Sequence, residues 1–263
     1  MNQNELIKLK NEIERIAKEA GTLIVNKENL VITEKSDAAN IVTNMDVASQ
    51  NYIISECKKL IPDSCFLAEE EGKQQLGEEY TWVIDPIDGT TNYAYDFKHS
   101  CISIALLYQK KGLIGVIYDP YLKECFTGIE GMPSTCNGKV IHASNHAADH
   151  ALVMIGTSPY HKEYADETFD LCKRLFLHCR DIRRSGSAAL DICYVASGRV
   201  DAFYESLLSP WDYAAGLIIA KNAQVKFQSL KKQQFDYQNP VGILAANSNC
   251  FDEIKELIGE SNE

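Results

Sequence analysis

The spacing of apolar residues predicts alternating helices and strands at the start of the chain. Apolar positions recur every three or four residues between Leu6 and Ile24, and this period predicts an amphipathic helix over residues 4–27. The pattern then predicts a strand at 30–33, a polar loop at 34–40, a helix from 44 to about 60 and a strand at 65–68.

The middle of the chain has the pattern of an antiparallel meander. Three strongly apolar segments are separated by turn residues, and they lie at 101–108, 113–118 and 124–129. Residues 131–137 are interpreted as a loop, and the polar stretch 142–150 as a domain boundary. We therefore divide the chain into an N-terminal α+β half, residues 1–145, and a C-terminal α/β half, residues 146–263.

The C-terminal half alternates strands with helices. Strands are predicted at 152–156, 201–205 and 242–246, and helices at 164–177, 186–196, 213–222 and 251–258. This alternation favours an α/β layer beside the antiparallel half, so the predicted fold class is mixed α+β and α/β.

Composition and charge narrow the classes of protein. The 263 residues carry a net charge of −11, which argues against non-specific nucleic-acid binding, because such binding depends on Lys and Arg. The polar start of the chain has no apolar signal-peptide core, and no apolar run approaches the length of a membrane span. Nine scattered cysteines without a CxxC pair indicate reduced thiols, as in a cytoplasmic protein. Taken together, the charge, the apolar runs and the cysteines lead us to expect a cytoplasmic protein that binds neither membrane nor nucleic acid.

One stretch concentrates the candidate chemistry. Trp82–Ile84 predicts a buried strand that ends on Asp85, where Pro86 stops ladder pairing. Asp88-Gly89 follows as a turn, and Thr90 and Thr91 are candidate helix N-caps. Two carboxylates this close repel each other unless a cation such as Mg²⁺ lies between them, and turn N–H groups suit a phosphate. The alternative interpretation is an acidic surface turn.

Other acids lie at the ends of predicted elements. Glu69 directly follows the strand at 65–68, Glu205 ends a strand, and Asp212 opens a helix. Each has an ordinary interpretation: Glu69 and its neighbours are typical of a solvated loop, and Asp212 of an N-cap. Asp46 is a first-turn acid, which is favourable against the helix dipole. Lys35, in the polar loop, is interpreted as a solvated lysine.

Together these motifs resemble a known family. Asp85-Pro-Ile-Asp-Gly-Thr-Thr-Asn92, with Glu69-Glu70 upstream and Trp211-Asp212-Tyr-Ala-Ala-Gly216 downstream, is similar to the inositol monophosphatase family of Mg²⁺-dependent, lithium-sensitive phosphatases. The resemblance extends over nearly the whole chain. It implies a layered αβαβα sandwich of the sugar-phosphatase type, a homodimer, two or three Mg²⁺ ions, and attack by metal-activated water.

The resemblance also implies roles for the matching residues. The implied metal ligands are Glu69, Asp85, the carbonyl of Ile87, Asp88 and Asp212. The implied substrate contacts come from Asp88, Gly89, Thr90, Ala188, Glu205 and Asp212. The implied catalytic residues are Thr90, Asp46 and Glu69, with Thr90 positioning the attacking water and Asp46 as its partner.

The chain departs from the family pattern near the third metal position. Ala68 stands where many relatives have Gly, and three consecutive acids leave the ligand open between Glu69 and Glu70. We prefer Glu69, because it directly follows the strand. The loop from Glu71 to Tyr80 is short, which weakens the expectation that a third metal ion binds.

The substrate expectation has several alternatives. Myo-inositol 1-phosphate is the leading candidate, and fructose 1,6-bisphosphate, histidinol phosphate and 3′-phosphoadenosine 5′-phosphate are the others. The nucleotide branch of the superfamily usually has Gly-Thr-Lys-Glu-Phe after its metal motif, where this chain has Gly-Thr-Thr-Asn-Tyr at 89–93. This difference favours the inositol branch. Arg183-Arg184 is interpreted either as contacting a second anionic group or as a solvated turn. The alternative from another class is a regulatory binding protein that keeps the fold.

Overall fold

The computed structural model describes residues 1–26, 29–35, 38–70 and 76–259. The helices in this part of the chain are α1 (Gln3–Val25), α2 (Asn44–Leu60), α3 (Thr90–Ala94), α4 (Ala165–His178), α5 (Ala188–Ala196), α6 (Pro210–Asn222) and α7 (Phe251–Leu257). None of these helices combines the length and apolar character needed to cross a bilayer.

The strands form two sheets and a separate hairpin. They are β1 (Ile32–Glu34), β2 (Ile41–Thr43), β3 (Cys65–Ala68), β4 (Tyr80–Asp88), β5 (Cys101–Tyr108), β6 (Lys111–Asp119), β7 (Glu124–Ile129), β8 (Thr135–Cys136), β9 (Lys139–Val140), β10 (Leu152–Ile155), β11 (Asp181–Arg183), β12 (Ala202–Leu208), β13 (Lys226–Ser229) and β14 (Val241–Ala246).

The larger sheet has seven strands in the order β3-β4-β5-β6-β7-β8-β9. Only the β3–β4 pair is parallel, and the antiparallel run from β4 to β9 confirms the predicted meander. The smaller sheet has the order β11-β10-β12-β14-β13, with β10 parallel to both of its neighbours and β14 antiparallel to both of its own.

Alternating side chains of the two sheets face different helix layers. In β4, Trp82 and Ile84 pack in the core with α1 and α2, whereas Val83 packs with α5 and α6. In β12, Phe203 joins the α5–α6 core, and Tyr204 joins the core under α4 and α7. The layers are therefore helix, sheet, helix, sheet, helix, which confirms the predicted αβαβα architecture.

The helix pair α5 and α6 lies between the two sheets. The larger sheet lies before the predicted boundary at 145/146 and the smaller sheet after it. Because both sheets pack against this shared layer, the division into two domains stays a prediction.

The structure corrects the predicted end of β4. The strand does not stop at Asp85, because its pairing with β5 resumes where Asp88 pairs with Cys101. Pro86 and Ile87 lie in the register shift between the two pairs. Pro86 therefore interrupts the ladder, as its missing N–H requires, but the strand continues beyond it.

Several short strands were not predicted. The loop interpretation of 131–137 is wrong at Thr135–Cys136, which form β8. The edge strands β11 and β13 also escaped prediction, because short polar segments lack an apolar alternation. The predicted polar loop at 34–40 and the Glu71–Tyr80 loop include residues 36–37 and 71–75, which lie outside the described residues.

Candidate active site

A cavity of about 400 Å³ opens where β4, β12 and the first turns of α5 and α6 meet. Nine of the residues predicted from the sequence line it, and these are Glu69, Asp85, Ile87, Asp88, Gly89, Thr90, Ala188, Glu205 and Asp212. Asp46 is not among the lining residues and lies behind Thr90, to which it is hydrogen-bonded. The fold thus gathers residues from both halves of the chain in one place.

Three carboxylates form the centre of the cavity. Asp85, Asp88 and Asp212 each offer an oxygen, and these oxygens lie within 4.8 Å of one another. In a regular strand, residues three apart point to opposite faces of the sheet. The register shift at Pro86 and Ile87 changes this relation, so that Asp85 and Asp88 meet on the same side.

The two acids of β4 are each held by protein hydrogen bonds on one oxygen. The N–H of Ile87 donates to Asp85 Oδ1 at 3.0 Å. Asp88 Oδ2 accepts from the N–H of Ala189 at 3.0 Å and from the hydroxyl of Ser187, at the start of α5. Within the described part of the chain, no hydrogen bond is made to the second oxygen of either carboxylate, so these oxygens can serve as ligands in the cavity.

The third acid, Asp212, is held by a capping box at the start of α6. The N-cap is Ser209, not Asp212, and the N–H of Ser209 donates to Asp212 Oδ2 at 2.7 Å. The N-cap interpretation of Asp212 is therefore wrong. Pro210 at the first helical position fits because a helix start needs no N–H there.

Asp46 belongs to a second capping box, at the start of α2. Its Oδ2 accepts from the N–H and the hydroxyl of Thr43, at 2.8 Å and 2.5 Å. Its Oδ1 accepts from Thr90 Oγ1 at 3.1 Å. The Thr90 hydroxyl also lies 3.0 Å from the carbonyl oxygen of Ile87. Burial raises the pKa of Asp46 to about 6, so this carboxylate can hold a proton near neutral pH.

Glu69 and Glu70 differ in what they face. The N–H of Glu69 donates to the Ile84 carbonyl beside Asp85, and among the described residues Glu69 lines the cavity and Glu70 does not. Lys35 Nζ lies 3.2 Å from Glu69 Oε1 and 2.7 Å from Glu70 Oε1. The interpretation of Lys35 as a solvated lysine is therefore wrong, because it is the cation of this acidic pair.

The cavity carries more buried negative charge than its protein partners balance. Burial raises the pKa of Glu69 to about 7 and that of Asp88 to about 6. Burial and the neighbouring acids raise the pKa values of Asp85 and Asp212 well above the usual range. A divalent cation would relieve this repulsion, and Mg²⁺ prefers oxygen ligands of this kind. The residues present therefore fit Mg²⁺.

A helix start adjoins the carboxylates. The N-cap of α3 is Gly89 rather than Thr90 or Thr91, which corrects the predicted capping. Gly89 has a φ of 88°, and a Cβ there would lie 3.1 Å from the carbonyl oxygens of His99 and Gly186. Only glycine suits this conformation and this close approach. The first N–H groups of a helix lack intrahelical acceptors, and those at this edge of the cavity suit an anion.

The opposite wall is built around Glu205. Its Oε1 accepts from the N–H of Ser158 at 2.8 Å, and burial raises its pKa to about 7. Arg184 and the buried Asp191 also line this wall. Arg183 lies outside the set of described lining residues and pairs with Asp181 instead.

Sequence reasoning missed several lining residues. Asp191 lies three residues after Ala188 in α5, so helical spacing could have placed both on one face. Ser158 and Tyr160 gave no sequence signal, because only the packing of β10 against β12 brings their segment to the cavity. Asn92 is not among the described lining residues, but its side-chain amide donates to the carbonyls of His99 and Ser185 and so joins α3 to these segments.

The chain is similar in sequence to a Nus factor, and in both sequence and structure to inositol monophosphatases. The chain is 37% identical over 215 residues to the Nus factor SuhB of Vibrio cholerae serotype O1, covering 80% of each chain. It is 37% identical over 217 residues to inositol monophosphatase 3 of Solanum lycopersicum, covering 79% of this chain and 80% of the relative. The solved Thermotoga maritima IMPase aligns with a TM-score of 0.86 at 31% identity, covering 96% of this chain and 97% of the other.

The layered fold and the acid-lined cavity are those of a phosphatase with αβαβα architecture. The family model described as the inositol monophosphatase family matches residues 2–263. The chain belongs to the inositol monophosphatase family.

Proposed function

We propose that the protein hydrolyses small phosphate monoesters of polyols with the help of Mg²⁺, and that myo-inositol 1-phosphate is its first candidate substrate. The observation that carries this proposal is the cluster of Asp85, Asp88 and Asp212, whose oxygens lie within 4.8 Å of one another beside the start of α3. Family membership supports the same chemistry.

The proposed metal ligands are Glu69, Asp85, the Ile87 carbonyl, Asp88 and Asp212. Two or three Mg²⁺ ions held there would polarise the phosphate oxygens and lower the pKa of the attacking water. The protein's own part is to hold these oxygens in place, through the bonds to Asp85, Asp88 and Asp212 described above. The N–H groups of Gly89 and Thr90 are proposed to bind the phosphate.

Thr90 and Asp46 are proposed to move the proton of the attacking water. The Thr90 hydroxyl is within hydrogen-bond distance of Asp46 Oδ1, so it can accept a proton from water while it donates its own to the carboxylate. Thr43 holds the other oxygen of Asp46, which fixes the direction of the accepting one.

The charge of the far wall favours a neutral polyol over a second phosphate. Arg184 lies on this wall, and its positive charge lowers the pKa values of Glu205 and Asp191, which burial raises. Both acids, when ionised, reduce the attraction of this guanidinium for a second phosphate. Glu205 can accept hydrogen bonds from ring hydroxyls, and Ala188 leaves room beside them. Fructose 1,6-bisphosphate, histidinol phosphate and 3′-phosphoadenosine 5′-phosphate remain the alternative substrates.

A regulatory function is a second proposal. It is supported by the similarity to a Vibrio cholerae protein that is named a Nus factor. Because the acidic cluster is intact, we propose such a function in addition to catalysis rather than instead of it. The homodimer, the cytoplasmic location and the absence of nucleic-acid binding stay predictions.

A phosphate-release assay tests the proposed function. The purified chain is incubated with Mg²⁺ and each of the four candidate substrates, and with each after chelation. We expect the highest kcat/KM on myo-inositol 1-phosphate and no release after chelation. If none of the four substrates is hydrolysed, the regulatory function is favoured. A preference for fructose 1,6-bisphosphate or 3′-phosphoadenosine 5′-phosphate, which each carry a second phosphate, would contradict the charge argument for Arg184.

A further inference from the structure

Glu205 is held in a close-fitting position by the segment that follows β10. Gly156 comes directly after this strand, and its N–H donates to the carbonyl of Tyr204 at 2.8 Å. Gly156 therefore lies beside Glu205 on the neighbouring strand. A Cβ built on Gly156 would lie 1.9 Å from Glu205 Oε2, 2.0 Å from Cδ and 2.6 Å from Cγ. The carboxyl group thus occupies the space that any other residue at 156 would fill.

Ser158 holds the other oxygen of the same carboxylate. Its N–H donates to Glu205 Oε1 at 2.8 Å, so the two oxygens of Glu205 contact Ser158 and Gly156 respectively. The direction of this N–H depends on an unusual backbone, because Ser158 has a φ of 40°. Two hydrogen bonds fix that conformation, one from Ser158 Oγ to the Leu207 carbonyl at 3.2 Å and one from the Leu207 N–H to Ser158 Oγ at 3.1 Å.

These contacts serve the cavity rather than the core. Gly156, Ser158 and Glu205 all line the cavity, on the wall opposite the metal-binding acids. A buried serine with a positive φ is uncommon, and such conformations persist where the surroundings fix them, often at binding sites. Gly156 itself is not in the left-handed region, so its backbone would accept an alanine. The requirement for glycine at 156 therefore comes from Glu205.

We propose that Gly156 and Ser158 are specificity-determining residues, which act by positioning the Glu205 carboxylate toward the hydroxyl groups of a polyol phosphate. This inference rests on the proposed phosphatase function. Gly156 supplies the space beside Oε2, and Ser158 supplies the hydrogen bond that orients Oε1. Substrate selection then depends on a backbone turn as well as on the carboxylate that contacts the substrate.

The substitution Gly156→Ala tests the proposal. The added methyl meets the far end of a side chain with rotatable bonds, so we expect Glu205 to rotate away from the Ser158 N–H while the fold persists. Loss of a charge-assisted hydrogen bond to substrate should raise KM for myo-inositol 1-phosphate roughly tenfold. The loss should be clearly smaller on p-nitrophenyl phosphate, which has no ring hydroxyls. A crystal structure of the variant should show the carboxylate displaced.

The double variant Gly156→Ala/Glu205→Ala is the matched control. Truncating Glu205 removes all three atoms that the new methyl would meet. Gly156→Ala should therefore change neither the substrate preference nor the melting temperature further in the Glu205→Ala background. The melting temperatures of the unsubstituted protein, the two single variants and the double variant form a double-mutant cycle. This melting-temperature cycle remains informative even if the single Gly156→Ala variant folds poorly.

Three results would overturn the positioning role. These are equal losses on both substrates, additive effects in the double variant, and a Gly156→Ala crystal structure in which Glu205 still accepts from the Ser158 N–H. The proposed function fails in a different way, by absence of turnover in the unsubstituted protein. In that case the melting-temperature cycle and the crystal structure still decide whether Gly156 positions Glu205.

Discussion

Replacing Thr90 with alanine removes one hydroxyl from the contact between the cavity and Asp46. In the structure this hydroxyl lies 3.1 Å from Asp46 Oδ1 and 3.0 Å from the Ile87 carbonyl oxygen. Asp46 keeps both hydrogen bonds from Thr43 on its other oxygen. The variant should therefore still fold, with a stability loss of roughly 1–3 kcal/mol for the hydrogen bond and the buried γ-methyl that alanine lacks.

The expected loss of activity is larger than the loss of stability. Removal of a general-base relay typically lowers the rate by about 10²–10⁴, which corresponds to roughly 3–5 kcal/mol of transition-state stabilisation. Asp46→Asn should have a similar effect, because its amide can replace the acceptor for Thr43 but would present a donor to Thr90. Affinity for Mg²⁺ should change little, since neither residue is among the proposed ligands.

The assay is steady-state phosphate release from myo-inositol 1-phosphate at saturating Mg²⁺. Two residues that act as one unit should give a double variant hardly slower than either single variant. Thr91→Ala is the matched control, because Thr91 also lines the cavity but is exposed. Fully additive losses for Thr90 and Asp46, or a Thr91 variant slower than the Thr90 variant, would refute the relay.

Three further predictions concern the metal site. Asp85→Asn should abolish phosphate release while the melting temperature stays near that of the unsubstituted protein, and near-normal turnover at saturating Mg²⁺ would show that the metal assignment is wrong. Burial raises the pKa of Glu69 to about 7 and that of Asp88 to about 6, so the folded chain keeps protons that the unfolded chain loses from about pH 4 upward. Scanning calorimetry after chelation should therefore show the free energy of unfolding falling as pH rises from about 4 to about 7, by up to about 1.4 kcal/mol per pH unit for each carboxyl. Added Mg²⁺ should make this fall smaller, and a free energy of unfolding that does not change with pH would contradict the prediction. Millimolar Li⁺ should inhibit phosphate release, as the family resemblance implies, and full activity in high Li⁺ would point to an altered metal site near Glu69.

The layered fold was largely predictable, because its core elements carry strong periodic patterns. The helical period of α1 and the apolar run of β5 both follow from burial on defined faces. The edge strands β11 and β13 were not predictable, since their segments have little apolar alternation. Their strand conformation comes from pairing with β10 and β14 rather than from their own residues.

The candidate site was predictable only where the chain places residues close together in sequence or matches the family motifs. Asp85 and Asp88 belong to one motif, but the register shift that turns them to the same side depends on pairing with β5. The partnership of Lys35 with Glu69 joins segments 34 residues apart, and no local pattern indicates it. The role proposed for Gly156 likewise depends on the pairing of β10 with β12, which no local pattern in the sequence indicates.

The position of bound metal tests the central claim most directly. Crystals of the protein can be soaked with Mn²⁺, which accepts the same oxygen ligands as Mg²⁺ and gives an anomalous signal. We predict a strong anomalous peak among the carboxylates of Asp85, Asp88 and Asp212. Absence of a peak there at saturating Mn²⁺, or a peak only elsewhere on the protein, would contradict the account.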